Sequence, residues 1–235
     1  MTNSPRPRVA TILLLAALAS PAAGEEAPPP PYLMTGANTV TIAVTWQADS
    51  LDGLLPAGVV PLEDFSGGLN VYDTEGGFGL GPYSAAYAYV NVQGWESVDG
   101  TPARHILGGW YGPDPRVAGA MRSHFNAPVT PGAATQGAEG TAWVGNGGAE
   151  DGTIRLEVLP ADACVAFAGF LNYVGTAGAG AGLELLRIPY AGDFCPAEPV
   201  SVEMSGPEGS ALDRLRVERM LAGGRLRDGT FAFTH

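Results

Sequence analysis

The chain has 235 residues, 24 acidic against 12 basic, and a formal net charge of −12. So acidic a chain repels nucleic acid and anionic lipid, and neither is expected as a partner. Charged residues make up only 15%, and the 34 glycines and 20 prolines favour turns and short strands over long helices.

Residues 1–24 have the form of a cleaved secretory signal. Arg6 and Arg8 form a positive start, residues 9–18 are apolar, and small residues follow, with Ala17 and Ala19 or Ala22 and Gly24 at the cleavage positions. An apolar run of about ten residues is too short for a spanning helix, which needs roughly 20. The protein is therefore expected to be secreted or periplasmic, without membrane attachment after cleavage. Residues 25–38 read as a Pro-rich lead-in, and residues 39–235 as one domain, since no composition break divides them.

Residues 40–46 (VTIAVTW) alternate as a strand. Residues 49–55 make a short helical turn that Asp49 can cap and Pro56 ends. Residues 68–72 form a strand, and GGFGLG at 76–81 a glycine loop. In the strand at 83–92, alternation puts Tyr83, Tyr87 and Tyr89 on one face, either as barrel wall or as the lining of an aromatic cavity. A strand at 104–111 follows, then a helix at 115–125, then strands at 141–144 and 153–159. The apolar stretch 164–174 fits a buried strand or a helix. After a glycine loop at 175–182 come strands at 183–188, 200–204 and 226–233. About ten short strands with Gly/Pro turns argue for an antiparallel barrel or sandwich.

Cys164 and Cys195 are the only cysteines. In an exported chain an even pair reads as a disulfide, and closing this loop contributes roughly 3–4 kcal/mol. Three histidines without paired spacing give no metal site. GGFGLG lacks the strand–helix context of a dinucleotide loop, and there is no Gly-x-Ser-x-Gly elbow. No cofactor is expected. All twelve basic residues are arginine, so no side-chain amine is available to form an imine.

The stretch AGAMRSHFNAPVTPG, residues 118–132, carries the strongest Arg-aromatic-Pro spacing. Arg122, Phe125, Asn126 and Pro128 keep the spacing of a signature that runs Arg-Glu, two or three residues, a small residue, then Pro-Lys-Lys. The stretch resembles that signature of the acetoacetate decarboxylase superfamily. Further pieces resemble the family in order: Trp46, Asp49, Leu51 and Leu54-Leu55-Pro56; then Gly79, Gly81, Pro82 and Tyr83; then the closing segment 209–233. The resemblance implies a mainly β fold, an antiparallel cone-like β-barrel with a few short helices and an interior pocket. It also implies where the family's reactive groups would fall. The two lysine positions hold Val129 and Thr130, and the Glu after the signature Arg is Ser123. The Glu position beyond the glycine loop holds Ala85, a second acidic position Asn70, and a basic position in the first strand falls near Thr45.

The expected ligand-binding residues are therefore Arg122, His124, Tyr83, Asn70, Thr130 and Thr45. Arg122 can hold a carboxylate in bidentate fashion or pair with a structural group, and His124 can act as acid or base or simply pack. The expected function is an exported barrel without imine-based decarboxylation that binds a small apolar, carboxylated or keto ligand. The alternative is a lyase-type enzyme that runs aldol, dehydration or decarboxylation steps on a keto compound by other chemistry. A filled, inactive barrel is a third reading. A homo-oligomer is compatible with the sequence.

Overall fold

The computed structural model describes residues 27–161, 163–176 and 182–234. The segment read as a signal, residues 1–24, lies outside them. Among the described residues no helix is long and apolar enough to cross a membrane.

Among the described residues, thirteen strands make one sheet. They are β1 (Tyr32–Trp46), β2 (Val60–Pro61), β3 (Ser66–Asp73), β4 (Gly76–Phe78), β5 (Ser84–Gln93), β6 (Ala103–Gly112), β7 (Val129–Pro131), β8 (Ala133–Glu139), β9 (Ala142–Ala149), β10 (Gly152–Pro160), β11 (Val165–Thr176), β12 (Leu183–Ser205) and β13 (Val217–Phe233). Helix α1 spans Pro115–Phe125 and α2 Ala211–Arg214. A 3-10 turn at Ala48–Leu51 takes the place of the expected helical turn, with no side-chain cap.

The neighbours run β11-β6-β5-β3-β1-β13-β12, and β12 also pairs with β11. That second pairing closes the ring into a barrel. The link between β11 and β6 is parallel and carries the single register pair Tyr173↔Arg104. β7 also runs parallel to β6, so the sheet is mixed rather than purely antiparallel. Beyond the ring, β12 continues into β10, β9 and β8. These fold back over the outer wall: a side chain at Gly145 would meet Val71 and Val40, and one at Gly147 would meet Ala86.

Alternation along the strands therefore builds two cores. Val40, Ile42, Val44 and Trp46 of β1, Leu69 and Val71 of β3, and Ala86, Ala88 and Val90 of β5 pack outward against Ile154, Leu156 and Val158 of β10. The opposite residues of the same strands point into the barrel. β1 begins at Tyr32, inside the segment read as lead-in, because Tyr32, Met34 and Ala37 bury their side chains and pair with β13. Likewise β12 and β13 are longer than the sequence pattern suggests. β12 changes neighbours along its length, pairing β11 and β13 with its first part and β10 with its second, so its burial pattern changes too.

Candidate functional site

Helix α1 covers one side of the barrel interior. Asp114 caps its N-terminus by accepting from the Arg116 backbone N–H, and Pro115 begins it. Asn126 ends it in the left-handed conformation, φ 51°, and the following Ala127 N–H returns to the Met121 carbonyl at 3.1 Å. This brings Met121, Phe125 and Ala127 to a cavity of about 180 Å³ inside the barrel.

The cavity wall is tyrosine-rich. Tyr72, Tyr83, Tyr87, Tyr111 and Tyr173 line it together with Asn70 and Arg104. The side-chain amide of Asn70 donates to the Tyr87 hydroxyl at 2.8 Å, and the Tyr87 and Tyr173 hydroxyls lie 2.7 Å apart. Arg104 pairs in register with Tyr173 across β6 and β11, and its guanidinium carbon sits 4.5 Å from the centre of the Tyr89 ring. Across the cavity, the Tyr72 and Tyr83 hydroxyls lie 2.8 Å apart.

Proton counting gives this network a direction. The Asn70 amide nitrogen donates to Tyr87 and the Arg104 guanidinium carries donors only, while the Asn70 carbonyl oxygen is an acceptor. Tyr87 and Tyr173 share one hydroxyl proton between them, which leaves the second hydroxyl proton of the pair able to donate to a ligand. The Thr39 hydroxyl, also in the lining, is buried without a partner. No Asp or Glu lines the cavity among the described residues. The site is thus rich in donors and lacks an anion.

Electrostatics reinforce this. Burial pushes Tyr72, Tyr87 and Tyr111 well above the ordinary phenol range, and Tyr83 and Tyr89 rise for the same reason. All are neutral hydroxyls near pH 7 and none is poised as a base. Burial works against the charge on Arg104, but the neighbouring oxygens of Tyr89, Tyr173 and Tyr87 outweigh it and raise its pKa. A guanidinium stays protonated in any case. No carboxylate lies within ion-pair distance of it among the described residues. Buried charges are ordinarily paired, and this half-buried cation faces tyrosines with no carboxylate beside it among the described residues.

The residues expected from sequence divide cleanly. Tyr83 and Asn70 line the cavity. Arg122 does not: it is exposed and donates to the Val129 carbonyl at 2.8 Å, tying the end of α1 to β7. His124 sits edge-on to Tyr32, ring centres 6.5 Å apart, outside the lining. Thr130 is exposed on β7, and Thr45 is buried near the far end of β1 with its hydroxyl 3.3 Å from a Glu218 carboxylate oxygen. Neither reaches the cavity. Val129 is buried among the tyrosine-side core residues, and Ala85 lies on the inner face between Tyr83 and Tyr87. His105 is buried, and desolvation lowers its pKa.

Arg104 was hidden by a bulge. Tyr87 pairs with Gly109 and Ala88 with Gly108, but Tyr89 pairs with Ile106, so Leu107 is an extra residue. Simple alternation back from Tyr111 puts Arg104 on the outer face; the bulge turns it inward. The adjacent glycines, Gly108-Gly109, were the available signal.

No family model and no curated protein sequence matches the chain. Solved structures do. An acetoacetate decarboxylase superposes with a TM-score of 0.63 at 10% identity, covering 93% of each chain. The chain has the acetoacetate decarboxylase-like fold. The enzyme from Legionella pneumophila superposes at 0.62 and 13% identity, over 97% of this chain and 96% of that one. An enduracididine biosynthesis enzyme complexed with pyruvate superposes at 0.61 and 12% identity, over 88% and 89%. The resemblance of the 118–132 stretch and the architecture therefore agree on the acetoacetate decarboxylase-like fold. Cys164 and Cys195 form the expected disulfide, sulfurs 2.01 Å apart.

Proposed function

We propose that this acetoacetate decarboxylase-like protein is an exported binder of a small carboxylated or keto ligand, without imine-based decarboxylation. One observation carries the reading: Arg104 faces Tyr173, Tyr87 and Tyr89 inside the barrel with no carboxylate to balance it. A carboxylate would accept from the guanidinium and from the second hydroxyl proton of the Tyr87–Tyr173 pair. A related fold holding pyruvate supports a keto acid as the class to try first. The absence of lysine anywhere in the sequence supports the loss of imine chemistry. The disulfide supports an oxidising compartment.

A lyase-type enzyme is the second reading. The same donors would stabilise an enolate, as an oxyanion hole does. Against it, the lining tyrosines are neutral near pH 7, and no carboxylate stands by to take a proton.

The test has two parts. Titrating pyruvate and acetoacetate calorimetrically should give saturable binding, and NMR of the same mixtures should show no turnover. Borohydride treatment followed by mass spectrometry should leave the protein mass unchanged. A covalent adduct, or steady product formation, would overturn the binding reading.

A further inference from the structure

We infer that the ligand is an amphiphilic carboxylate whose apolar chain lies along an aromatic wall running from Arg104 out to Phe167. The inference rests on the reading of Arg104 as the anion anchor and adds the part of the ligand that the anchor does not hold.

Along β11, residues two apart share a face. Tyr173, at the polar end, and Leu171 line the cavity, and Phe167 and Val165 continue the same face outward. From Tyr173 to Phe167 is six residues, about 20 Å along the strand. The facing strands keep the wall apolar. Tyr190 of β12 stacks on Phe231 of β13, ring centres 5.7 Å apart and planes 17° apart. Phe167 closes on Tyr190 at 5.8 Å and on Phe194 at 6.3 Å. Tyr190, Phe194 and Phe231 all belong to the cavity lining, so the wall and the anchor share one space.

Tyr190 joins the two ends. It packs on Phe167 on one side and feels the Arg104 charge on the other, which opposes the rise that burial imposes on its hydroxyl. Size points the same way. The cavity of about 180 Å³ exceeds the roughly 150 Å³ that suffices to hold a benzene ring. An acid of two or three carbons would leave much of it without contacts. The outer end is open: Phe167 is 47% exposed and Val165 56%. An aromatic left half in water at the rim of an apolar wall is surface that a chain would cover.

The experiment is a calorimetric series of straight-chain carboxylates from acetate to octadecanoate, kept below micelle-forming concentrations, with the matching primary amides, on the full-length protein. Each added methylene should tighten Kd by about threefold to fourfold until the chain passes Phe167. Phe167→Ala should flatten that dependence for the longer acids. Because Phe167 is half exposed, the variant should fold, and the wild-type series decides the matter even if it does not. Acids that all bind with one Kd whatever their length would overturn the inference and leave the anchor standing. Amides that bind as tightly as acids would overturn the anchor and, with it, the amphiphilic acid. No binding in either series would overturn both.

Discussion

The guanidinium of Arg104 sits 4.5 Å from the ring centre of Tyr89, and no carboxylate accompanies it among the described residues. A cation over an aromatic face is worth about 0.5–2 kcal/mol, less than the several kcal/mol that taking a charge out of water can cost. Arg104 is therefore a residue kept at a cost to the empty protein. Replacing it with methionine, of similar reach, should leave the unliganded protein as stable or raise its unfolding free energy by roughly 1 kcal/mol. Thermal melts of wild type and Arg104→Met check this. A fall of several degrees in Tm would mean that the guanidinium is structural.

The pair Tyr87 and Tyr173 is different, because its hydroxyls bond each other and Tyr87 accepts from Asn70. Tyr87→Phe removes the acceptor of the Asn70 amide and the partner of Tyr173. A buried donor left unsatisfied costs about 1–3 kcal/mol. Urea unfolding should show that loss. Adding Asn70→Leu to it should recover part of the stability, since both polar partners are then gone.

His105 predicts an acid limb. Burial holds its folded-state pKa below the unfolded value of 6.5. As pH falls, the unfolded chain takes up its proton first, so stability is complete above about 6.5 and declines as pH drops toward the lowered folded-state value. The slope from this one group is at most about 1.4 kcal/mol per pH unit. His105→Leu should flatten the stability profile below about pH 6.5. A variant profile parallel to wild type would show that the imidazole is not desolvated.

The Cys164–Cys195 bridge closes a loop with a sequence separation of 31, joining the approach to β11 to the middle of β12. Its loss should cost roughly 3–4 kcal/mol. Melting with and without reductant measures it. Since β11 and β12 carry Tyr173, Tyr190 and Phe167, reduction should also weaken ligand binding.

Much of this fold was legible because local signals agreed. Val40 to Trp46 alternates, Asp114-Pro115 starts a helix and Asn126 ends it, and the Arg122 to Pro128 spacing matched the fold that superposition found. The signature Arg nonetheless lies outside the cavity lining. Arg122 keeps its place in sequence but spends its donor on the Val129 carbonyl. The cation that lines the cavity is Arg104, on a strand whose Leu107 bulge reverses the face that alternation assigns. Tyr173 reaches the same point from about seventy residues away, through a parallel pairing that no local pattern encodes. Tyr83, Tyr87 and Tyr89 were readable as one face; their meeting with Tyr111 and Tyr173 depended on closure of the ring.

The most direct test of the anion site compares octanoate with octanamide on wild type and on Arg104→Met by isothermal titration calorimetry. The two ligands share a chain and differ in charge. Hydrogen bonds to a charged group are worth about 1.5–3 kcal/mol, so wild type should prefer the acid by about 10-fold to 100-fold, and the variant should show no preference. Equal affinity for both ligands in wild type, or an undiminished preference in the variant, would contradict Arg104 as the anchor.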